Sequence, residues 1–233
     1  MIEYRWPLNI RPKESVFTLL TQEMTSSSPF RVNVQTTSPL VEQWMAEITW
    51  DVVREDDWPE VVSMIRRLRG RTNALRIPDF RRQLPRGVAA GKYQDGPVTQ
   101  AAFSDGTSFS DGTGWTDQGT LGTVSQNAVQ GQDSILISGL VPNQAKSVDF
   151  ADMMEIGGYL YESLVKTASD STGRARVVIC PPLRENVPSG TSVLFENATT
   201  PFQLMEGSDI KIASFARGRH MNPFSLKLIE IIP

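Results

Sequence analysis

The sequence predicts a mainly β protein: β-barrel or β-sandwich modules, one prominent α-helix over about 57–69, and a long Gly/Ser/Thr-rich excursion. Three observations carry this. The second half breaks into short apolar runs separated by turn formers, at spacings of roughly 8–16 residues. The first 57 residues alternate apolar and polar positions. One stretch only has helical periodicity with both ends marked.

From the N-terminus, Ser15–Leu20, Phe30–Thr36 and Trp44–Val53 read as strands. In the last of these, residues 44, 46, 48, 50 and 52 form one face and 47, 49 and 51 the other, so two tryptophans sit on the packed side. The helix follows. Asp57 suits an N-cap with Glu60 three residues later, and Pro59 is tolerated in the first turn. Trp58, Val61, Val62, Ile65 and Leu68 share a face. Gly70 marks the end, and Arg66, Arg67 and Arg69 complement the helix dipole.

Arginine is dense beyond that point: Arg66, Arg67, Arg69, Arg71, Arg76, Arg81, Arg82 and Arg86 are eight in 21 residues. Two readings stand side by side. Long stems can cover apolar surface while the heads stay solvated. Alternatively the patch meets an acidic subunit, since the planar guanidinium suits interface ion pairs, or it lines a lumen near a phosphate backbone. The interface candidates are Arg66, Arg67, Arg71, Arg81, Arg82 and Arg86, with Trp115, Arg184 and Phe224 further along.

Residues 91–130 are rich in glycine, serine and threonine, with Asp105-Gly106 and Asp111-Gly112 as turn signals. A stretch this long inside a domain is expected to be ordered by neighbouring subunits. The remaining strands are Ser134–Leu140, Tyr159–Lys166, Ala175–Cys180, Ser192–Phe195, Phe202–Met205, Ile210–Phe215 and Phe224–Ile232. The division along the chain is therefore 1–90 with the helix, 91–130 as loop or hairpins, and 131–233 as a β module, or one continuous domain.

Composition narrows function. The chain has 233 residues, is 39% hydrophobic and carries a formal charge of -3, with a pI near 5.3. That size buries a sizeable core, and the balance of charge argues against a nucleic-acid glove. Cys180 is the single cysteine, reads as a small buried hydrophobe, and permits no internal disulfide. Residues Met1–Pro7 hold no apolar signal segment, and no apolar run approaches the length of a membrane span.

Catalytic equipment is sparse. His220 is the only histidine, so a triad or a histidine-centred zinc site has one residue to draw on, and a Cys180–His220 pair lies in unsuitable apolar surroundings. Two carboxylates facing one cleft would suit glycoside hydrolysis, and Asp149, Asp152 and Glu155, or Glu55, Asp56 and Asp57, or Asp105, Asp111, Asp117 and Asp133 among the glycines, are the groups to consider. Turn formation explains most of these more simply, and the EF-hand spacing is absent. No catalytic, cofactor-binding or metal-ligating residue is assigned, and the expectation is a non-enzyme.

Several strings, taken in order, carry a resemblance. They are Trp58 to Asn73, then Arg76-Ile77-Pro78-Asp79, Pro85-Arg86-Gly87, Ile135 to Leu140, and Gly157-Gly158-Tyr159-Leu160-Tyr161. Ala168 to Ala175 and Ile179-Cys180-Pro181-Pro182-Leu183-Arg184 complete the series. From about residue 40 onward the chain resembles tail proteins of long-tailed bacteriophages and prophages, of the distal-tail or baseplate-hub kind. Gly158 stands where many such proteins have an acidic residue.

The resemblance implies a tail-tube-like β-barrel and a ring at the distal end of the tail, hexameric or trimeric. It implies partners in the tail tube, hub or tip and tape measure proteins, with DNA passing the lumen unbound. It places the protein in the virion, assembled in the host cytoplasm. A second reading is a carbohydrate- or receptor-binding module using Trp115 with Tyr93, Phe103 and Phe109. A third is a tail-associated cell-wall hydrolase.

Overall fold

The computed structural model describes residues 1–7, 10–21, 24–26, 35–37, 42–50, 58–87, 121–205 and 224–233. The fold is mainly β, with one α-helix among the described residues and a closed six-stranded barrel. The chain forms two compact units, Met1–Arg81 with Thr200–Pro233, and Arg82–Thr199. This division departs from the one drawn along the chain at 90 and 130. The first unit is assembled from both ends of the sequence, which composition cannot register.

The first unit holds a sheet in the order β1-β6-β13-β14-β5-β2. Its strands are β1 (Glu3–Arg5), β2 (Glu14–Thr21), β5 (Glu42–Trp50), β6 (Ala74–Pro78), β13 (Thr199–Leu204) and β14 (Phe224–Glu230). Short β3 (Met24–Ser26) and β4 (Gln35–Thr37) pair with each other. Alternation makes β5 what the sequence predicts: Trp44, Ala46, Ile48 and Trp50 are buried. Trp6 stacks on Trp50 at 5.0 Å and meets Phe80 edge-on at 5.8 Å. Phe17 of β2 reaches Phe202 of β13 at 5.7 Å, although β5 and β14 lie between those strands. The small Ala46 opposite Phe17 leaves room for that contact, and the sheet curls accordingly.

The last strand fills a central place. β14 lies between β13 and β5, with Leu226, Leu228 and Glu230 fully buried. The Glu230 carboxylate accepts from Trp44 N–H at 3.1 Å and from the Thr200 hydroxyl at 3.0 Å. It ties three strands together, which satisfies a polar group that would otherwise be costly to bury. The β14–β5 register runs as far as Met45, and the β2–β5 pairs Leu20–Gln43 and Thr21–Glu42 extend beyond it.

The helix α1 (Trp58–Leu68) buries Val61, Met64, Ile65 and Leu68 and leaves Arg66 and Arg67 exposed. Asp57 lies outside the described residues. Arg69 and Gly70 both take left-handed backbone, with φ 48° and 66°.

The second unit is a closed barrel in the order β10-β11-β8-β7-β12-β9. Its strands are β7 (Leu121–Val124), β8 (Ser134–Ser138), β9 (Met153–Ile156), β10 (Tyr159–Ser163), β11 (Ala175–Cys180) and β12 (Ser192–Leu194). Ile156 faces Tyr159 across Gly157 and Gly158, whose φ values of 61° and 88° are those of a two-residue type I′ hairpin. Met154, Ile156, Tyr161, Val177, Val193 and Phe195 lead a continuous core. A barrel of this size is filled by side chains rather than open as a pore.

No described helix is long and apolar enough to cross a membrane. The predicted strand Ile210–Phe215, most of Phe30–Thr36, and residues 91–120 of the Gly-rich stretch lie outside the described residues.

Candidate interaction surface

The predicted arginine patch divides between the two units. Arg66, Arg67 and Arg71 are exposed at the end of α1 and just beyond it, and Arg81 is exposed at the end of the same unit's first segment. Arg82 and Arg86 belong to the barrel unit. Arg82 is half-buried, 2.9 Å from the Glu162 carboxylate, so it serves the barrel's own wall. Arg86 exposes its side chain, while its N–H donates to Asp152.

Three further candidates fall elsewhere. Arg184 is buried at 5% exposure, its N–H donating to the Tyr161 hydroxyl at 3.0 Å and its carbonyl accepting from Gln130 at 3.0 Å. It is buried within this unit and is not an outward-reaching cation. Phe224 opens β14 opposite Trp50. Trp115 lies outside the described residues, as do Tyr93, Phe103, Phe109 and His220. Cys180 is half-buried rather than fully buried.

A groove of about 400 Å³ lies between β1 and α1, lined by Tyr4, Arg5, Pro7, Glu60, Ser63, Met64 and Arg67. Glu60, Ser63, Met64 and Arg67 recur at helical spacing and so share one side of α1. The Arg67 guanidinium stands over the Tyr4 ring at 5.8 Å, within cation–π range. Asn73, only 6% exposed, clamps the two walls: its amide donates to Arg67 O at 2.7 Å, and its side-chain oxygen accepts from Ile2 N–H at 3.2 Å. Arg76 pairs with Glu3 at 2.7 Å and so neutralises the nearest acid on β1.

Sequence reasoning found Arg67 but not Tyr4, Arg5, Ser63 or Met64. The spacing of 60, 63, 64 and 67 was the available signal for the helix wall. Nothing local tells that residues 4–7 fold against it.

Of the carboxylates weighed for hydrolysis, Asp149, Asp152 and Glu155 bond to backbone and side chains of their own unit, and Glu55, Asp56 and Asp57 lie outside the described residues. Asp152, 2% exposed, accepts from Arg86 N–H at 2.6 Å, Gly87 N–H at 3.0 Å and Asp149 N–H at 2.7 Å. The Lys146 ammonium, 2.7 Å from Asp149, holds that carboxyl below its ordinary value. Glu155 accepts from the Thr199 N–H and hydroxyl at 2.9 and 2.8 Å. Among the described residues no cluster of three or more His, Cys, Asp or Glu is placed to hold a metal ion.

No family model matches this chain, and no curated protein does.

Proposed function

We propose that this chain is a structural protein of a long-tailed bacteriophage or prophage tail, forming a ring at the distal end of the tail tube and joining it to hub, baseplate or tip proteins. In this reading the barrel is tail-tube-like and the Gly/Ser/Thr-rich excursion over 91–130 is ordered by neighbouring copies. The ring is a hexamer or a trimer, it contacts the tape measure protein, and it lets DNA pass without binding it. The virion is its location, after assembly in the host cytoplasm, and it is not an enzyme.

One structural observation supports the reading beyond the resemblance of the motif strings. The six-stranded sheet ends on β2, eight residues long, and no strand pairs with its outer edge among the described residues. An exposed edge of that length is a template for pairing with another chain. Head-to-tail pairing of identical copies closes into a ring when the rotation permits. With the barrel interior filled, any channel runs between copies rather than through one.

The test is imaging. Gold-labelled antibody against the chain should mark the distal tail tip of particles from a host carrying its gene. Label on the head, along the tube or on no particle at all would refute it.

A further inference from the structure

We propose that the groove between β1 and α1 takes an extended acidic segment of a partner protein, which adds a strand to the outer edge of β1. Two independent features argue for it.

The first is backbone chemistry. β1 is the terminal strand of the sheet and pairs in parallel with β6. Ala74 N–H donates to Ile2 O, and Trp6 N–H donates to Arg76 O, both at 3.0 Å. A parallel ladder uses alternate residues of each strand. Residues 2, 4 and 6 therefore face β6, and the N–H and C=O groups of Glu3 and Arg5 face outward. No strand meets them among the described residues. Pro7, with no N–H to offer, limits the addition to this short edge. A peptide matches those donors and acceptors; a nucleic acid or a lipid headgroup does not.

The second is charge. Arg5 and Arg67 line the groove against Glu60, and Arg66, Arg69 and Arg71 are exposed at the C-terminal end of α1 and just beyond it. Residues 58–81 of this unit hold six arginines against Glu60 and Asp79, in a chain of 23 basic and 26 acidic residues. The patch runs against the sign of the whole molecule, and an incoming strand bearing carboxylates complements it. Tyr4 and Met64 supply apolar walls for the alternate side chains of such a strand.

This site does not depend on the ring, and its test fails separately. The probe is an acetylated octapeptide of alternating Glu and Val, titrated into the full chain. Binding should slow amide hydrogen exchange at Glu3 and Arg5 while leaving Tyr4 unchanged. The substitutions Arg5→Glu and Arg67→Glu should each weaken binding about tenfold, and the milder Arg67→Gln severalfold. Backbone N-methylation of the peptide should abolish it. The inference is overturned by absent binding, by binding indifferent to these arginines or to N-methylation, or by a thymidine oligonucleotide binding as tightly as the peptide.

Discussion

Asp152 and Gly87 act as a single fastening at the residue scale. The carboxylate gathers three backbone N–H groups. Gly87 sits so close that a Cβ would collide with Ser147 O and lie 2.8 Å from Val148 Cα. Backbone cannot retreat as a flexible side chain does, so Gly87→Ala should cost about 1–3 kcal/mol. Asp152→Ala strands three donors and should cost about 3 kcal/mol. Urea midpoints of the two variants check both numbers. The sequence showed Asp152 as one more turn aspartate, because burial is not a local property.

Asp170 was legible, since Asp-Ser-Thr-Gly is turn chemistry. Its Oδ1 accepts from Arg174 N–H at 2.9 Å and from the Thr172 hydroxyl and N–H, each at 2.8 Å. Those bonds, Arg174 N–H first, lower its pKa below 3.8. A depressed folded value means the stabilisation is complete above pH 3.8 and lost as pH falls through the lower folded value. Melting temperature followed from pH 6 to 2 should fall less steeply at the acid end in Asp170→Asn than in the parent chain.

Elements differ in how openly the sequence announces them. Ala175–Cys180 is found as predicted because its buried positions alternate, and α1 because Val61, Ile65 and Leu68 recur at helical spacing. β6 escaped notice: Ala74, Leu75, Ile77 and Pro78 are all buried, so no alternation marks the strand. β1 is three residues long and gains its partner from a segment about seventy residues away. In α1 packing and backbone conformation act at separate residues. Leu68→Ala empties a fully buried site and should cost 2–5 kcal/mol by the usual range for such truncations. Gly70→Ala meets no neighbouring atom within 4 Å and disturbs only the left-handed backbone, so about 1 kcal/mol is expected. Thermal melts of the two variants should rank them in that order.

At the scale of the whole molecule, topology decides which pieces stand alone. The barrel unit is one continuous segment with its own core. A fragment of residues 82–199 should therefore melt cooperatively by itself. Residues 1–81 alone should not, because β13 and β14 lie between β6 and β5 in the sheet. Circular dichroism of the two fragments tests the pair of expectations. This insertion of C-terminal strands into an N-terminal sheet was the least legible feature of the fold. Each strand has a local pattern, but nothing in residues 224–230 names β5 as its neighbour. The groove was illegible for the same reason: Tyr4 and Arg5 acquire their meaning only when residues 58–68 pack beside them.

The proposal of a ring is tested most directly by the mass of the purified full-length chain across a wide range of concentration. A closed assembly predicts a single species at three or six times the 25.9 kDa protomer, persisting on dilution. A protomer-sized species at every concentration, accompanied by tail tips in which the chain occurs as isolated copies, would contradict it.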